Sequence, residues 1–375
     1  MTMRAAGGAR PLALTMGDAC GIGPEIVAQV FRSGAQRRGA AEHVAGGGDA
    51  NYDHDAASGG EANGDRDAAS GAFVVGDLGV MRRAAVLTGG MLPVALIEHP
   101  SEALACPRGC MPVLQVAGLA SDLLDAPIGK VDARAGAAAA ACIRAAVGHA
   151  LAGEVAAIVT APIHKEAFAA AGVGYPGHTE MLQALSGARA VRMMLANDEL
   201  RTVLVTIHVS LRRAIELVSF DAVLETLRIA HHAAAAFAGG APRIAVAGLN
   251  PHAGEGGLFG DEETTIIAPA IAAARAEGID ARGPFAPDTV FMRARNTPSH
   301  PGEFDLVVAM THDHALIPVK YLGVEDGVNV TLGLPFVRTS PDHGTAFDIA
   351  GSGRADASSL RAAIRFARRL AAAKV

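Results

Sequence analysis

The chain has 375 residues, half of them hydrophobic, and a formal net charge of −6. Its length suits about two domains at roughly 150 residues each. The negative balance, the absence of Trp and the 4% aromatic content exclude a basic, base-stacking surface for nucleic acid. No apolar run approaches the roughly 20 residues of a membrane span, and no apolar leader with a cleavage site is evident. Cys20, Cys106, Cys110 and Cys142 are too few and too irregular for a disulfide scaffold, and Cys106/Cys110 lack the second pair that a thiolate zinc site needs. These features predict a soluble, cytoplasmic protein with reduced thiols and no nucleic-acid or membrane partner.

In chain order, residues 11–16 predict a strand, followed by GDACGIGPE and a helix over 26–31 with Pro24 suited to its first turn. Residues 33–72 are Gly-, Ala- and Asp-rich with no apolar period, so they read as a disordered, low-complexity insertion. A strand is expected at 73–77, a helix at 78–88, strands at 93–97 and 112–116, an Ala-rich helix at 133–152 and a strand at 155–160. Further strands are expected near 191–195, 202–206, 243–247 and 305–309, with helices near 179–187, 220–237, 262–277 and 356–373. Strands alternating with helices predict parallel α/β architecture.

Four of these strands run into histidine-bearing turns: His164 and then His178, His208, His252, and His312 with Asp313 and His314. Taken singly, such a histidine is more often a hydrogen-bonded structural residue than a ligand. Imidazoles from separate strand ends are, however, what an open, catalytic metal site requires, and ligands of open α/β sheets bind beyond the carboxyl ends of strands. Lys320 and Arg338 add cations, Arg338 in the apolar context LPFVRTS. Either is a salt-bridge partner by default, but Arg also suits bidentate pairing with phosphate or carboxylate, and Lys acid/base work. GDACGIGPE is not GxGxxG, and GLNPHAGEGGLFGDEE lacks the GK[ST] of a nucleotide-binding P-loop.

The segments GDACGIGPE, APIHKEAF, GHTE, TIHVSLR, GLNPHAGEGGLFGDEE, APDTVF, MTHDHALIPVK and GVNVTLGLPFVRTSPDHGTAFDIAG together resemble the 4-hydroxythreonine-4-phosphate dehydrogenase (PdxA) family. The resemblance runs from about Leu12 to the C-terminus, apart from the 33–72 insertion. It implies two α/β domains with a cleft between them, in the manner of the isocitrate/isopropylmalate dehydrogenase group. The first domain would take 1–172 with 350–375, and the second 173–349. It implies metal ligation by His208, His252 and His312, and substrate binding by His178, Thr179, Lys320, Asn329 and Arg338. HGTAFDIAG looks like the adenosine-binding loop of the wider group, which assigns His343, Gly344, Thr345, Ala346 and Asp348 to cofactor binding.

The implied chemistry is NAD- or NADP-dependent oxidation and decarboxylation of 4-phosphohydroxy-L-threonine, with one divalent cation (Zn, Mg or Co). The implied assembly is a homodimer whose active sites are completed by the partner chain. Lys320 or Asp313 is the candidate for proton transfer. TAPIHKEA, HVSLR, GGLFGDEE, DTVF and LIPVK look more like a sister branch acting on D-threonate or D-erythronate 4-phosphate. A metal-dependent hydrolase or lyase without NAD, and a non-catalytic sugar-phosphate binder, are alternatives of other classes. His314, Thr311, Pro341 and Ala19-Cys20 depart from the family's usual Gln, Tyr, Val and Pro-Ala. His314 is expected to offer a further ligand or titrating group.

Overall fold

The computed structural model describes residues 9–33, 68–323 and 325–373. Most of the expected 33–72 insertion, residues 34–67, lies outside them, while 68–71 form a turn and β2 begins at Ala72. The chain divides into two compact units: Met1–Leu185 with His343–Arg365, and Ser186–Asp342 with Phe366–Val375. Relative to the expected division at 172/173 and 349/350, residues 173–185 and 343–349 fall in the first unit and 366–375 in the second.

The first unit holds β1 (Leu12–Thr15), α1 (Gly23–Ser33), β2 (Ala72–Gly76), α2 (Leu78–Leu87), β3 (Val94–Ile97), β4 (Met111–Gln115), α3 (Ala133–Leu151), β5 (Ala157–Thr160), α4 (Lys165–Ala170) and α5 (His178–Ser186). Its strands run in the order β3-β4-β2-β1-β5, each neighbouring pair parallel. β1, β2 and β5 are buried along their whole lengths, which is why they read as apolar runs rather than alternations. α3 is started by Asp132, whose Oδ1 accepts from the Arg134 N–H at 2.8 Å. Its alanine face lets α4 approach closely: a Cβ added at Gly136 would stand 2.1 Å from the Ala167 carbonyl oxygen.

The second unit holds β6 (Arg192–Ala196), β7 (Arg201–Leu204), α6 (Leu211–Leu217), α7 (Phe220–Ala238), β8 (Ile244–Ala247), α8 (Ala268–Ala276), β9 (Ala281–Phe285), α9 (Val290–Ala294), β10 (Leu306–Ala309), α10 (His312–Tyr321), β11 (Val328–Leu332) and β12 (Val337–Pro341). Helix α11 (Ser358–Ala372) starts in the first unit and ends in the second. The strand order here is β12-β11-β6-β7-β10-β8-β9. The pairs β7·β10, β10·β8 and β8·β9 are parallel, whereas β11·β12, β11·β6 and β6·β7 are antiparallel. The fold is therefore mixed α/β rather than wholly parallel. The reason is local: Asn197 Oδ1 accepts from the Glu199 and Leu200 N–H groups at 2.9 and 2.7 Å, closing a β6–β7 hairpin turn. Leu195, Leu204, Ala245, Val307, Ala309, Ala315 and Val319 form the core between the sheet and α10.

Two further differences bear on the site. The polar stretch after β10, expected as a turn, is helix α10 from His312 onward. The helix expected over 262–277 is a π-helical turn, Glu263–Ile267, followed by α8.

Candidate active site

In the second unit, β7 and β10 are parallel neighbours, and hydrogen bonds past their ends hold their exits together. Thr206 N–H donates to the Met310 carbonyl at 3.2 Å, and Thr206 Oγ1 to the same oxygen at 2.8 Å. This register brings His208 and His312 to 5.6 Å between ring centroids. The two rings line a cavity of about 180 Å³ with Thr206, Leu211, Thr311 and Asp313. His208 is held at φ 23°, in the sparsely populated left-handed region, a conformation maintained only where the surroundings impose it.

His312 Nδ1 lies 2.7 Å from Asp313 Oδ1. Where the ring donates its Nδ1 proton to that carboxylate, Nε2 keeps a lone pair, the arrangement in which imidazoles bind metals. His252 carries the same device, its Nδ1 standing 3.0 Å from Glu255 Oε2. Among the described residues, though, no group of three or more His, Cys, Asp or Glu is gathered to hold a metal. His208 and His312 meet, whereas His252 is presented on an exposed excursion after β8, its side chain 63% accessible. The donor set suits a divalent cation; its third member is not brought to the other two within one chain.

That excursion is unusual in its backbone. His252, Ala253, Gly254, Glu255 and Gly256 all have positive φ, between 46° and 76°. For the non-glycine residues left-handed backbone costs about 1–2 kcal/mol each, so the surroundings must hold it. The anchor is the buried Glu263: Oε1 accepts from the Leu249 and Asn250 N–H groups, both at 2.7 Å, and Oε2 from Asn250 Nδ2 at 3.0 Å. Burial pushes its carboxyl up, but the bonds from Asn250 and Leu249 together outweigh that and hold it below the ordinary value.

The remaining candidates are distributed as follows. Asn329 pairs with Ser340 across the antiparallel β11·β12 ladder, and strand alternation puts Asn329, Thr331, Arg338 and Ser340 on one face. Arg338 is buried, donates from Nη1 to Thr331 Oγ1 at 2.9 Å, and is pushed down to about 10 by that burial. It lines a separate cavity of about 520 Å³ with Arg189, Glu225, Ile229 and Phe336. Lys320, in the last turn of α10, pairs with Asp342 at 2.9 Å. His314 lies two residues beyond His312 on the same helix, about 200° round its axis at 3.6 residues per turn, so it does not share the His312 face. Its Nδ1 is buried with no hydrogen-bond partner among the described residues, and burial holds the ring below its ordinary 6.5.

In the first unit, His178 and Thr179 open α5. The loop carrying His343, Gly344, Thr345, Ala346 and Asp348 packs on the turn after β1: the Ile22 N–H donates to the Thr345 carbonyl at 3.0 Å. A Cβ at Gly21 would meet Thr345 Cβ at 2.9 Å, which is why glycine stands there. The Phe347 ring stacks on His164 at 4.5 Å, and Ala346 is held at φ 41°. Buried Glu25 accepts from the Gly353 N–H at 2.8 Å and from Gly351, tying the end of the same loop to α1. Asp18, joined to the β5 loop by its N–H on the Pro162 carbonyl at 2.9 Å, is pushed up by burial.

Sequence reasoning missed Glu25, Glu263, Asn250 and Asp18 as working residues. Their signal was an acid or amide inside a glycine-rich turn, which composition alone reads as solvated.

Fold and site define a two-unit α/β enzyme whose candidate metal-binding histidines follow the carboxyl ends of β7, β8 and β10. The family described as pyridoxal phosphate biosynthetic protein PdxA matches residues 68–367, and the chain belongs to that family. It is 53% identical over 360 residues to a 4-hydroxythreonine-4-phosphate dehydrogenase of Beijerinckia indica, covering 96% of this chain and 95% of the relative. It is 41% identical over 365 residues to a D-threonate 4-phosphate dehydrogenase of Salmonella typhimurium, covering 96% and 99%. Among solved structures, 4-hydroxythreonine-4-phosphate dehydrogenase from Klebsiella pneumoniae superposes with a TM-score of 0.79 at 41% identity, covering 97% of this chain and 98% of that one. No helix among the described residues is long and apolar enough to cross a membrane.

Proposed function

We propose that this chain is an NAD(P)-dependent dehydrogenase that oxidises and decarboxylates 4-phosphohydroxy-L-threonine in pyridoxal 5'-phosphate formation. The observation that carries the reading is the His208–His312 pair at the ends of two adjacent parallel strands, with His312 oriented by Asp313. The 53% identity to a relative of that activity supports the substrate. D-threonate or D-erythronate 4-phosphate is the second reading, supported by the 41% relative.

When bound, a divalent cation (Zn, Mg or Co) would polarise the substrate hydroxyl and NAD or NADP would accept the hydride. His208, His312 and His252 would hold the cation through their ring nitrogens. Arg338 and Asn329, on one strand-ladder face, would fix anionic substrate groups in register for hydride transfer. His178 and Thr179, at the start of α5, would also bind substrate. Lys320 Nζ, oriented by Asp342, would carry the proton, and Asp313 would position His312. The loop of His343, Gly344, Thr345, Ala346 and Asp348 would seat the cofactor, clamped by Glu25 and Ile22.

The protein would act as a homodimer in which His252 reaches the His208–His312 pair of the other chain. The exposed setting of His252 supports this, as do the exposed apolar side chains of Val209, Leu211, Ile215, Leu217 and Phe220 along and beside α6. The test is NAD(P) reduction by purified protein with divalent metal, comparing 4-phosphohydroxy-L-threonine with D-threonate and D-erythronate 4-phosphates. Fastest turnover of the first is expected. His312→Ala should lower kcat by about 100-fold or more and release metal. Absence of any reduction, or no change on His312→Ala, would refute the assignment.

A further inference from the structure

We infer that Glu263 is a positioning residue for metal binding, acting through the left-handed excursion that presents His252. The inference rests on His252 being a ligand. Glu263 itself is 2% exposed, and its described hydrogen bonds go to Leu249 and Asn250. It fixes the point where β8 turns: Gly248 N–H donates to Phe285 O at 2.7 Å, and the next two N–H groups, Leu249 and Asn250, both end on Glu263 Oε1. Asn250 is then held from two sides, its Nδ2 on Glu262 Oε2 at 2.7 Å and on Glu263 Oε2 at 3.0 Å. The Asn250 carbonyl in turn accepts from the Ala253 N–H at 3.1 Å, which closes the turn around His252.

The glycines of this segment give the same account independently. A Cβ at Gly248 would stand 2.9 Å from Glu263 Oε1, and one at Gly254 2.7 Å from Glu263 Oε2. A Cβ at Gly260 would stand 2.5 Å from Asn250 Nδ2. Three glycines therefore leave room for one buried carboxylate and its amide partner. Six consecutive residues with positive φ, His252 to Gly257, do not hold themselves, since each prefers the opposite sign or, for glycine, neither. With its oxygens in place the excursion has one conformation; withdrawn, the segment relaxes and His252 loses its fixed direction. Metal sites depend on such supporting groups, whose loss typically weakens binding 10–100-fold.

The experiment uses the full chain and Co(II) as the probe, titrated by its visible absorption at a temperature far below melting. Glu263→Asp keeps the charge and shortens the reach; it should weaken Co(II) binding about tenfold or more. Glu263→Gln keeps an acceptor for the Leu249 and Asn250 N–H groups but turns a donor towards Asn250 Nδ2, so it should recover only part of that loss. Asp305→Asn, a destabilising change at the far ends of β8 and β10, should leave Co(II) affinity unchanged, which separates positioning from a general loss of stability. Wild-type affinity in Glu263→Asp, with His252→Ala weakened, would overturn the inference alone. Wild-type affinity in His252→Ala would overturn the ligand assignment beneath it.

Discussion

Asp305 shows how a single carboxylate ties sequence to stability. It accepts from the Arg243 N–H at 2.7 Å and from Arg243 Nη2 at 3.0 Å, joining the starts of β8 and β10. Burial pushes its carboxyl up, but the Arg243 bonds outweigh this and hold it below the ordinary 3.8. A carboxyl lowered by folding contributes stability above its unfolded value and loses it as the pH falls through the folded one. Asp305→Asn is therefore expected to melt lower at neutral pH, by about 1 kcal/mol. The gap should close as the pH drops below 3.8. Melting curves of both proteins between pH 7 and pH 2.5 check this. At the same scale, Asp313 and Glu255 each sit on an imidazole Nδ1, so two of the three candidate ligands carry their own orienting acid.

Among the elements, the contact of α3 with α4 is set by one missing side chain. Gly136 is the fourth residue of α3, where glycine is less favourable than alanine, and its reason is the Ala167 carbonyl, 2.1 Å from the position of an added Cβ. Gly136→Ala should improve helix propensity yet lower stability by about 1–3 kcal/mol, because the two backbones must separate. Differential scanning calorimetry would register the drop, and an unchanged or raised melting temperature would show that α4 shifts without cost. The long, strongly periodic or fully buried elements were legible in the sequence: β1, β2, β5, β8 and β10 as apolar runs, and α3, α7 and α11 as helices. The short ones, α4, α6, α9, β9, β11 and β12, were not, because five to seven residues carry too little periodicity to separate them from loops. α10 was hidden differently: HDHAL is polar where the helix starts, and its Pro318 reads as a breaker.

For the molecule as a whole, the proposed dimer makes a quantitative prediction. If His252 serves the site of the other chain, a mixture of His252→Ala and His312→Ala subunits regains one intact site in each mixed dimer. Equal mixing with free exchange gives half mixed dimers, so roughly a quarter of wild-type activity should return. Each variant alone should be inactive. No recovery, with mixed dimers demonstrated by mass spectrometry, would mean that each chain completes its own site. This test distinguishes two arrangements that leave the same residues in the sequence.

The sequence by itself determined the α/β class, the family, and the residue types at strand ends. Buried parallel strands must be apolar, and ligands of open α/β sheets bind beyond the carboxyl ends of strands, so several imidazoles at such ends together mark a site. It also marked His208 and His312 as candidates on separate elements. Only the tertiary structure decided that these two rings meet while His252 stays apart, since that depends on the register of β7 against β10 and on the exposed path after β8. It alone decided that β7 returns antiparallel to β6, because that hairpin is set by two backbone N–H groups donating to the Asn197 side-chain oxygen. And it alone singled out Glu263: one of two adjacent acids, identical on paper to its neighbour Glu262, it is the one whose burial turns a common surface residue into the anchor of a strained turn.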